Sequence, residues 1–490
     1  MLFNSLDFAI FFPVVFLLYW VLAKRLTARN ILILLASYTF YGWWDWRFLI
    51  LIIISSLVDF LVGKRLYLEG NKTKRKLLLL VSLGVNLGFL GYFKYSNFFI
   101  ENFVDAFSLF GNNLEGSTLN IILPVGISFY TFQTLSYTID IYRKQLKPTN
   151  NALAFFSFVA FFPQLVAGPI ERASHLLPQF LKTYTFNYKQ VKSGLLLMAF
   201  GLFKKMVIAD RAALYVNEVY NNAGDYDGVA YIIGTVLFAF QIYCDFSGYS
   251  DIAIGASRTM GFDLMKNFNS PYFSRSLTDF WRRWHISLST WFRDYVYIPL
   301  GGSKNGKFRT YANLFIVFVV SGFWHGAAWT FVIWGAIHGL VLMVEKGIYK
   351  VKTPVFKRLG LMKDHLFSRL FFGSIIFIIV CFAWIFFRAN SLADALTISQ
   401  GVFTKFNFGD IFASSTYLIG YESNEFRVVS FFILLLGLAE VVHLKYNLTR
   451  LVSEQHIILR WVAYLIIVFT LILFGVYGDV DSQEFIYFQF

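Results

Sequence analysis

An all-α, polytopic integral membrane bundle is the fold class this sequence predicts, and three observations lead to it. The chain of 490 residues is 57% hydrophobic and only 15% charged, with a mean hydropathy of +0.58; a soluble domain of this length carries more charge. Apolar runs recur along it, many near the roughly 20 residues that cross a bilayer as a helix. Lys and Arg, which set a formal net charge of +14, gather in short segments between those runs. That distribution points to the cytoplasmic leaflet and membrane lipid, not to nucleic acid.

Taken in order, the start MLFNSLDFAIFFPVVFLLYWVLAKR has no basic n-region, and its cations follow the apolar run. Phe8–Leu22 therefore reads as a first span and not as a cleavable leader. Ile31–Trp44 and Phe48–Val62 come next, ahead of a basic loop holding Lys64, Arg65, Lys72, Lys74, Arg75 and Lys76. Two spans separate the two basic segments, which puts both in the cytoplasm and the N-terminus outside. Leu77–Phe93 is a further span, and Asn97–Asn120 an Asn-rich outer connection.

From Ile121 the pattern degrades, because Pro124, Gly126, Pro163, Gly168 and Pro169 interrupt runs too short or too polar to cross simply. Broken backbone at membrane depth needs protein or a water-filled cavity around it, which predicts re-entrant segments about a central tunnel. Glu171, Arg172 and His175 read as a solvated charged loop. Lys189–Ala209 and Val229–Phe246 are spans. In the second, Asp245 and Asp251 flank a Ser247-Gly248 break and read as helix-end hydrogen-bonding groups; with no third acidic ligand at suitable spacing, no metal is expected. Arg258–Arg309 returns the chain to the cytoplasmic face, Tyr311–Val320 leads into the apolar segment of His325, and Lys346–Lys363 is another basic loop. Leu370–Phe387, Ser430–Val442 and Trp461–Tyr477 complete the bundle. Cys244 and Cys381 lie in apolar stretches and read as packing residues. With no tandem repeat, low-complexity tract or second soluble domain, residues 1–490 read as a single transmembrane domain.

Two imidazoles carry the chemistry. His325 lies in SGFWHGAAW (Ser321–Trp329), inside an otherwise apolar run, and a titratable group there is costly unless solvated or paired. Its small neighbours Gly326 and Ala327 read as room for a thin substrate chain and an acceptor beside the ring. His285 lies in FWRRWHISLSTWFRD (Phe280–Asp294), which on a wheel of about 100° per residue forms one amphipathic helix. Leu277, Phe280, Trp284, Leu288, Trp291 and Phe292 share its apolar face, and Arg282, Ser289 and Arg293 its polar one. Such a helix lies at a membrane interface, with His285 on the border, either presented to a cavity or snorkelling to the headgroups. His338, in WGAIHGL, sits 13 residues beyond His325. On one straight helix that is about 20 Å, on nearly opposite faces. Asp279, Arg282 and Arg283 suit donor phosphates or lipid headgroups equally.

These blocks, with YCDFSGYSDIAIG (Tyr243–Gly255), NFNSPYFSRS (Asn267–Ser276), LPVGISFYTFQTLSYTIDIYR (Leu123–Arg143), FFPQLVAGPIERASHLLPQF (Phe161–Phe180) and the terminal FIYFQF (Phe485–Phe490), resemble the membrane-bound O-acyltransferase (MBOAT) family, in its alginate O-acetylation branch. The resemblance covers nearly the whole chain. It implies a multi-pass enzyme of the cell (inner) membrane that passes an acetyl group from acetyl-CoA, with no bound cofactor, toward an extracytoplasmic polysaccharide: alginate-like, cellulose or peptidoglycan. A periplasmic or surface acetyltransferase partner protein would complete the transfer. The resemblance also implies His325 as catalytic base, with His285 as its partner across a tunnel, and leaves His338 a structural or tunnel-lining residue. Alternatives are D-alanyl transfer to teichoic acid from a carrier-protein thioester, or a non-enzymatic transporter or scaffold of a polysaccharide export complex. A transporter would show internal repeat symmetry, and none is found.

Overall fold

In a computed structural model, residues 1–108, 118–358, 366–421, 424–446, 451–452, 454–477 and 485–486 are described, except for the side chains of 349–358. Among the described residues, helices and turns account for all regular structure and no strand occurs. Seven helical stretches among them are long and apolar enough to cross a membrane: Leu26–Leu68, Lys72–Ser108, Gly228–Thr259, Trp329–Ile348, Leu366–Arg388, Glu425–His443 and Ile457–Phe474. The last has no buried residue at all. Water would not tolerate that much exposed Leu, Ile and Phe, whereas lipid does. The protein is an all-α, multi-pass membrane protein. Contacts gather it into two compact units, Met1–Met198 with Ser250–Met265, and Ala199–Tyr249 with Lys266–Phe490.

The first unit carries α1 (Leu6–Leu22), α2 (Leu26–Asp45), α3 (Leu49–Leu68), α4 (Lys72–Leu90), α5 (Ser96–Ser108), α6 (Ile127–Tyr142), α7 (Ala152–Ala160), α8 (Phe162–Leu165), α9 (Ala173–Leu176) and most of α10 (Tyr188–Leu202). Helices α3, α4 and α6 pack around a buried carboxylate: Asp59 accepts from Asn86 Nδ2 at 2.9 Å, from Thr138 Oγ1 at 3.0 Å and from Ser82 Oγ. Side-chain donors there do for a buried polar group what water cannot. The interrupted stretch is short helices and turns, and every residue from Ser157 to Glu171 is buried, so protein covers the broken backbone. Gly126 opens α6 at φ +74°, with Leu165 O 2.8 Å from where a Cβ would sit. The solvated reading of Glu171 does not hold: its buried carboxylate accepts from the backbone N–H of Met265 and meets His175 Nδ1 at 2.8 Å. The outer connection expected at Asn97–Asn120 is helical as far as Ser108, and 109–117 lie outside the described residues.

In the second unit a π turn, Phe203–Ala209, leads from α10 to α11 (Asp210–Asn221); α12 (Gly228–Thr259), α13 (Leu277–Arg283), α14 (Ile286–Phe292), α15 (Gly306–His325), α16 (Trp329–Arg358), α17 (Leu366–Arg388), α18 (Leu392–Thr404), α19 (Glu425–His443) and α20 (Ile457–Phe474) follow. Residues Ser250 onward of α12 group with the first unit. Helix α12 is continuous through Gly248, so Asp245 does not end a helix. It meets Lys205 Nζ at 2.9 Å, which also reaches Asp210 at 2.7 Å, and accepts from the backbone N–H of Ile486 at 2.8 Å. Gly248 is small because a Cβ would lie 2.7 Å from Gly201 O. Cys244 and Cys381 are free and buried. The expected loop Lys346–Lys363 is helical to Arg358, and 359–365 lie outside the described residues, as does FIYFQF beyond Ile486.

Helices α15 and α16 form an antiparallel hairpin joined backbone to backbone. A Cβ on Gly322 would lie 2.2 Å from Phe331 O, one on Gly335 2.2 Å from Phe318 O, and one on Gly339 3.2 Å from Phe315 Cα. Glycines spaced by four in GFWHG and GAIHG permit this approach, as in other close membrane helix pairs. A Gly-to-Ala change inside a helix ordinarily adds up to about 1 kcal/mol of stability. At Gly335 the sign should reverse: Gly335→Ala is expected to lower the thermal midpoint in detergent, by the equivalent of about 1–3 kcal/mol. An unchanged or raised midpoint would show that the backbones do not meet there.

Candidate active site

Helix α15 ends on His325, because Gly326 leaves it in extended geometry at φ −155° and ψ 147°. The imidazole is 3% exposed and ringed by Trp324 at 4.9 Å, Trp334 at 5.1 Å and Phe387 at 5.4 Å between ring centroids. The space beside Gly326 is not open to substrate: a Cβ there would lie 2.1 Å from the Phe331 ring. Its small size serves that packing, not an acyl chain.

His285 lies in a break. The single amphipathic helix expected around it is two short ones, α13 and α14, with Trp284 extended and His285 left-handed at φ +43°, ψ 54° between them. That conformation is uncommon outside glycine and is held by its surroundings. Asn267 provides them. The backbone N–H of Ile286 donates to Asn267 O at 2.9 Å, and Ser287 donates to Asn267 Oδ1 through its hydroxyl at 2.9 Å and its N–H at 3.3 Å. Since Oδ1 accepts from a backbone N–H, the contact from His285 Nδ1 at 3.2 Å must be a donation. The proton then sits on Nδ1, and Nε2 carries the lone pair. His285 is fully buried, so it does not snorkel. Its ring centroid is 6.5 Å from that of His325. The fold thus brings together the two imidazoles that stand forty residues apart in the chain. Asn267 lies within the NFNSPYFSRS block, but nothing local in the sequence marks it as the residue that orients His285.

A cavity of about 1090 Å³ is lined by Arg275, Arg282, Arg293 and Lys346; neither imidazole lines it, but Ile286, next to His285, and Ser321, one turn before His325 on α15, do. Glu345 also lines it, but its carboxylate accepts from the N–H groups of Leu277 and Thr278 at the start of α13. The Nε of Arg293 donates to Asp294 Oδ1 at 2.8 Å, and the four cations still outnumber the one carboxylate on the wall, which favours an anionic guest. Arg282 faces this cavity. Arg283 does not line it, and its Nε donates to Asp279 Oδ1 at 3.0 Å. His338 is fully buried and on a different helix from His325, so the straight-helix separation does not apply: the chain turns between α15 and α16. The Trp334 ring lies 5.1 Å from His325 and 4.9 Å from His338. Among the described residues, no three of His, Cys, Asp and Glu converge as a metal ligand set.

Neutral imidazoles accept protons from hydroxyls, and clustered cations hold phosphorylated donors, so group transfer at a membrane is the class of chemistry this geometry suits. The sequence model of the membrane-bound O-acyltransferase family, MBOAT, matches residues 20–387; the chain belongs to that family and is an O-acyltransferase. It is similar to the probable alginate O-acetylase AlgI of Pseudomonas putida, with 41% identity across 84% of this chain and 81% of the relative. The peptidoglycan O-acetyltransferase of Helicobacter pylori is 36% identical across 82% of this chain and 80% of its own length. The teichoic acid D-alanyltransferase of Bacillus subtilis is 29% identical across 46% of this chain and 59% of its own length.

Burial holds the His285 imidazole well below its usual 6.5, at about 3. Between those values the unfolded chain binds a proton that the folded chain does not. Its contribution to stability is therefore full above 6.5 and falls as pH drops toward 3, with a slope of up to ~1.4 kcal/mol per pH unit. His285→Gln is expected to melt with a weaker acid dependence than the unaltered protein over this window. Equal slopes in the two proteins would contradict a neutral, buried ring.

Proposed function

We propose that this O-acyltransferase passes an acetyl group from cytoplasmic acetyl-CoA across the cell (inner) membrane for O-acetylation of an extracytoplasmic polysaccharide. Alginate-like polymers, cellulose and peptidoglycan are the acceptor class, and a periplasmic or surface acetyltransferase partner completes the transfer. The whole chain serves as one transmembrane catalytic domain. The observation that carries this reading is the convergence of His285 and His325, two buried rings with centroids 6.5 Å apart.

Arg275, Arg282, Arg293 and Lys346 hold the donor's phosphates at the cavity, and the thioester reaches inward past Ser321 toward His325. His325 accepts the proton of a hydroxyl on the polymer or on the partner protein, and the oxygen attacks the thioester carbonyl. As the tetrahedral intermediate collapses, the C–S bond breaks and the imidazolium returns its proton to the departing thiolate. His285, whose Nδ1 is committed to Asn267, directs Nε2 as an acceptor and orients the hydroxyl. Burial keeps the His285 ring neutral, the form this requires. Acetyl is favoured over D-alanyl as the group transferred, because the two O-acetylating relatives align over more than four-fifths of this chain and the D-alanyl relative over 46%.

Membranes containing the protein, its polymer and its partner should incorporate label from acetyl-CoA. His325→Ala is expected to drop incorporation by at least about a hundredfold while the protein still inserts; undiminished incorporation would remove His325 from the chemistry. Label transferred from a D-alanyl carrier thioester but not from acetyl-CoA would replace the acetyl reading. Arg282→Gln should raise KM for acetyl-CoA about tenfold, and Arg283→Gln should leave it nearly unchanged. Equal effects would show that the cavity does not hold the phosphates.

A further inference from the structure

His338 takes no part in the chemistry derived above, yet it is fully buried in α16, and neither of its ring nitrogens has a hydrogen-bond partner among the described residues. Two indoles lie against it, Trp281 at 5.0 Å and Trp334 at 4.9 Å between ring centroids, both edge to face. Their Nε1 atoms are likewise buried without a partner among the described residues. A single such group occurs in many folds, but leaving several unmade in one place is costly, and a concentration of them marks a place where a polar ligand completes the bonding. The cluster lies directly behind the cavity wall, and neither His338 nor Trp334 is itself part of that wall. Trp281 and Phe318, both packed on His338, line the cation-rimmed cavity, as does Leu342 one turn further along α16. On the other side, Trp334 touches His325.

We propose that His338, with the indole N–H groups of Trp281 and Trp334, is an amide-binding subsite that positions the pantetheine arm of the acyl donor between the cavity and His325. The chemistry selects this class of ligand. An imidazole in its neutral form offers one donor and one acceptor, and each indole offers one donor, so the cluster presents three donors and one acceptor. Phosphates are served at the rim, where the cations are. What the inner cluster complements is a neutral chain rich in carbonyls with N–H groups between them. The pantetheine arm has two amides followed by the thioester carbonyl. His338 is thus a positioning residue: it holds the arm in register so that the acyl carbon arrives at His325. This assignment rests on the cavity being the donor's.

The test compares acetyl-CoA with acetyl-pantetheine, which keeps the amides and lacks the phosphates. His338→Phe preserves a flat ring and removes both nitrogens; His338→Gln restores one donor and one acceptor. His338→Phe is expected to raise KM about tenfold for both donors with kcat changed less than about threefold, and His338→Gln to recover most of the loss. Arg282→Gln should raise KM for acetyl-CoA alone. If His338→Phe fails to fold, Trp281→Phe removes one indole N–H and should raise KM for both donors in the same way. Unchanged KM for both donors in a folded His338→Phe protein would overturn the subsite, as would an equal loss in the Phe and Gln variants that follows a lowered melting temperature. Should the unaltered protein turn over neither thioester, the donor reading falls and the subsite falls with it.

Discussion

The contact on which the site depends is backbone against backbone: the carbonyls of Phe331 and Phe318 lie where side chains on Gly322 and Gly335 would otherwise be. Nothing but hydrogen fits at those two positions, so α15 and α16 come together at a separation that side chains elsewhere prevent. The consequence is local and chemical. The chain must leave α15 at Gly326 to begin α16, and the last helical residue before that turn is His325. Phe331, from the first turn of α16, then closes the space beside Gly326. An imidazole on a frayed or mobile helix end would have water around it; this one is held among Trp324, Trp334 and Phe387.

Burial of that kind creates a second requirement. Burial holds the His285 ring neutral, and a neutral imidazole is useful as a base only if the correct nitrogen carries the lone pair. For His285 the answer is Asn267, whose carbonyl oxygens also receive the N–H groups that open α14. One residue thus fixes the tautomer, and it stabilises a left-handed backbone that a histidine would not adopt unaided. The same economy holds at the cavity, where Glu345 lines the wall and takes up the N–H groups at the start of α13.

How much of this could be read from the residues alone differs between levels for physical reasons. Bilayer-crossing segments are set by hydropathy, a property of each residue summed over a window, and so the all-α, multi-pass architecture was plain in the sequence. The burial of an ionisable group at His325 was also plain, because such a residue in an apolar run stands out wherever the chain goes. What escaped were the places where the chain turns without a proline. The wheel that joined Leu277 to Phe292 assumed about 100° per residue throughout, and the left-handed His285 breaks that phase while each short helix keeps an apolar side. The same assumption put His338 about 20 Å from His325 on one rod, although Gly326 and the small residues after it end the helix and fold it back. Asp245 failed in the opposite direction: a Gly that looked like a break is a packing contact inside an unbroken helix, and the carboxylate is satisfied by Lys205 and the Ile486 N–H. Partners distant in sequence, such as Asn267 for His285 or the Met265 N–H for Glu171, leave no local periodic trace.

The central claim is that His285 and His325 act on one reacting centre, and it is tested most directly by a double-mutant cycle on kcat/KM for acetyl transfer. Residues that serve a single step lose most of their effect once either is gone, so His285→Gln in a protein already carrying His325→Gln should cost far less than it does alone, with a coupling energy above about 1 kcal/mol. Additive losses, each histidine contributing the same whether or not the other is present, would contradict the account.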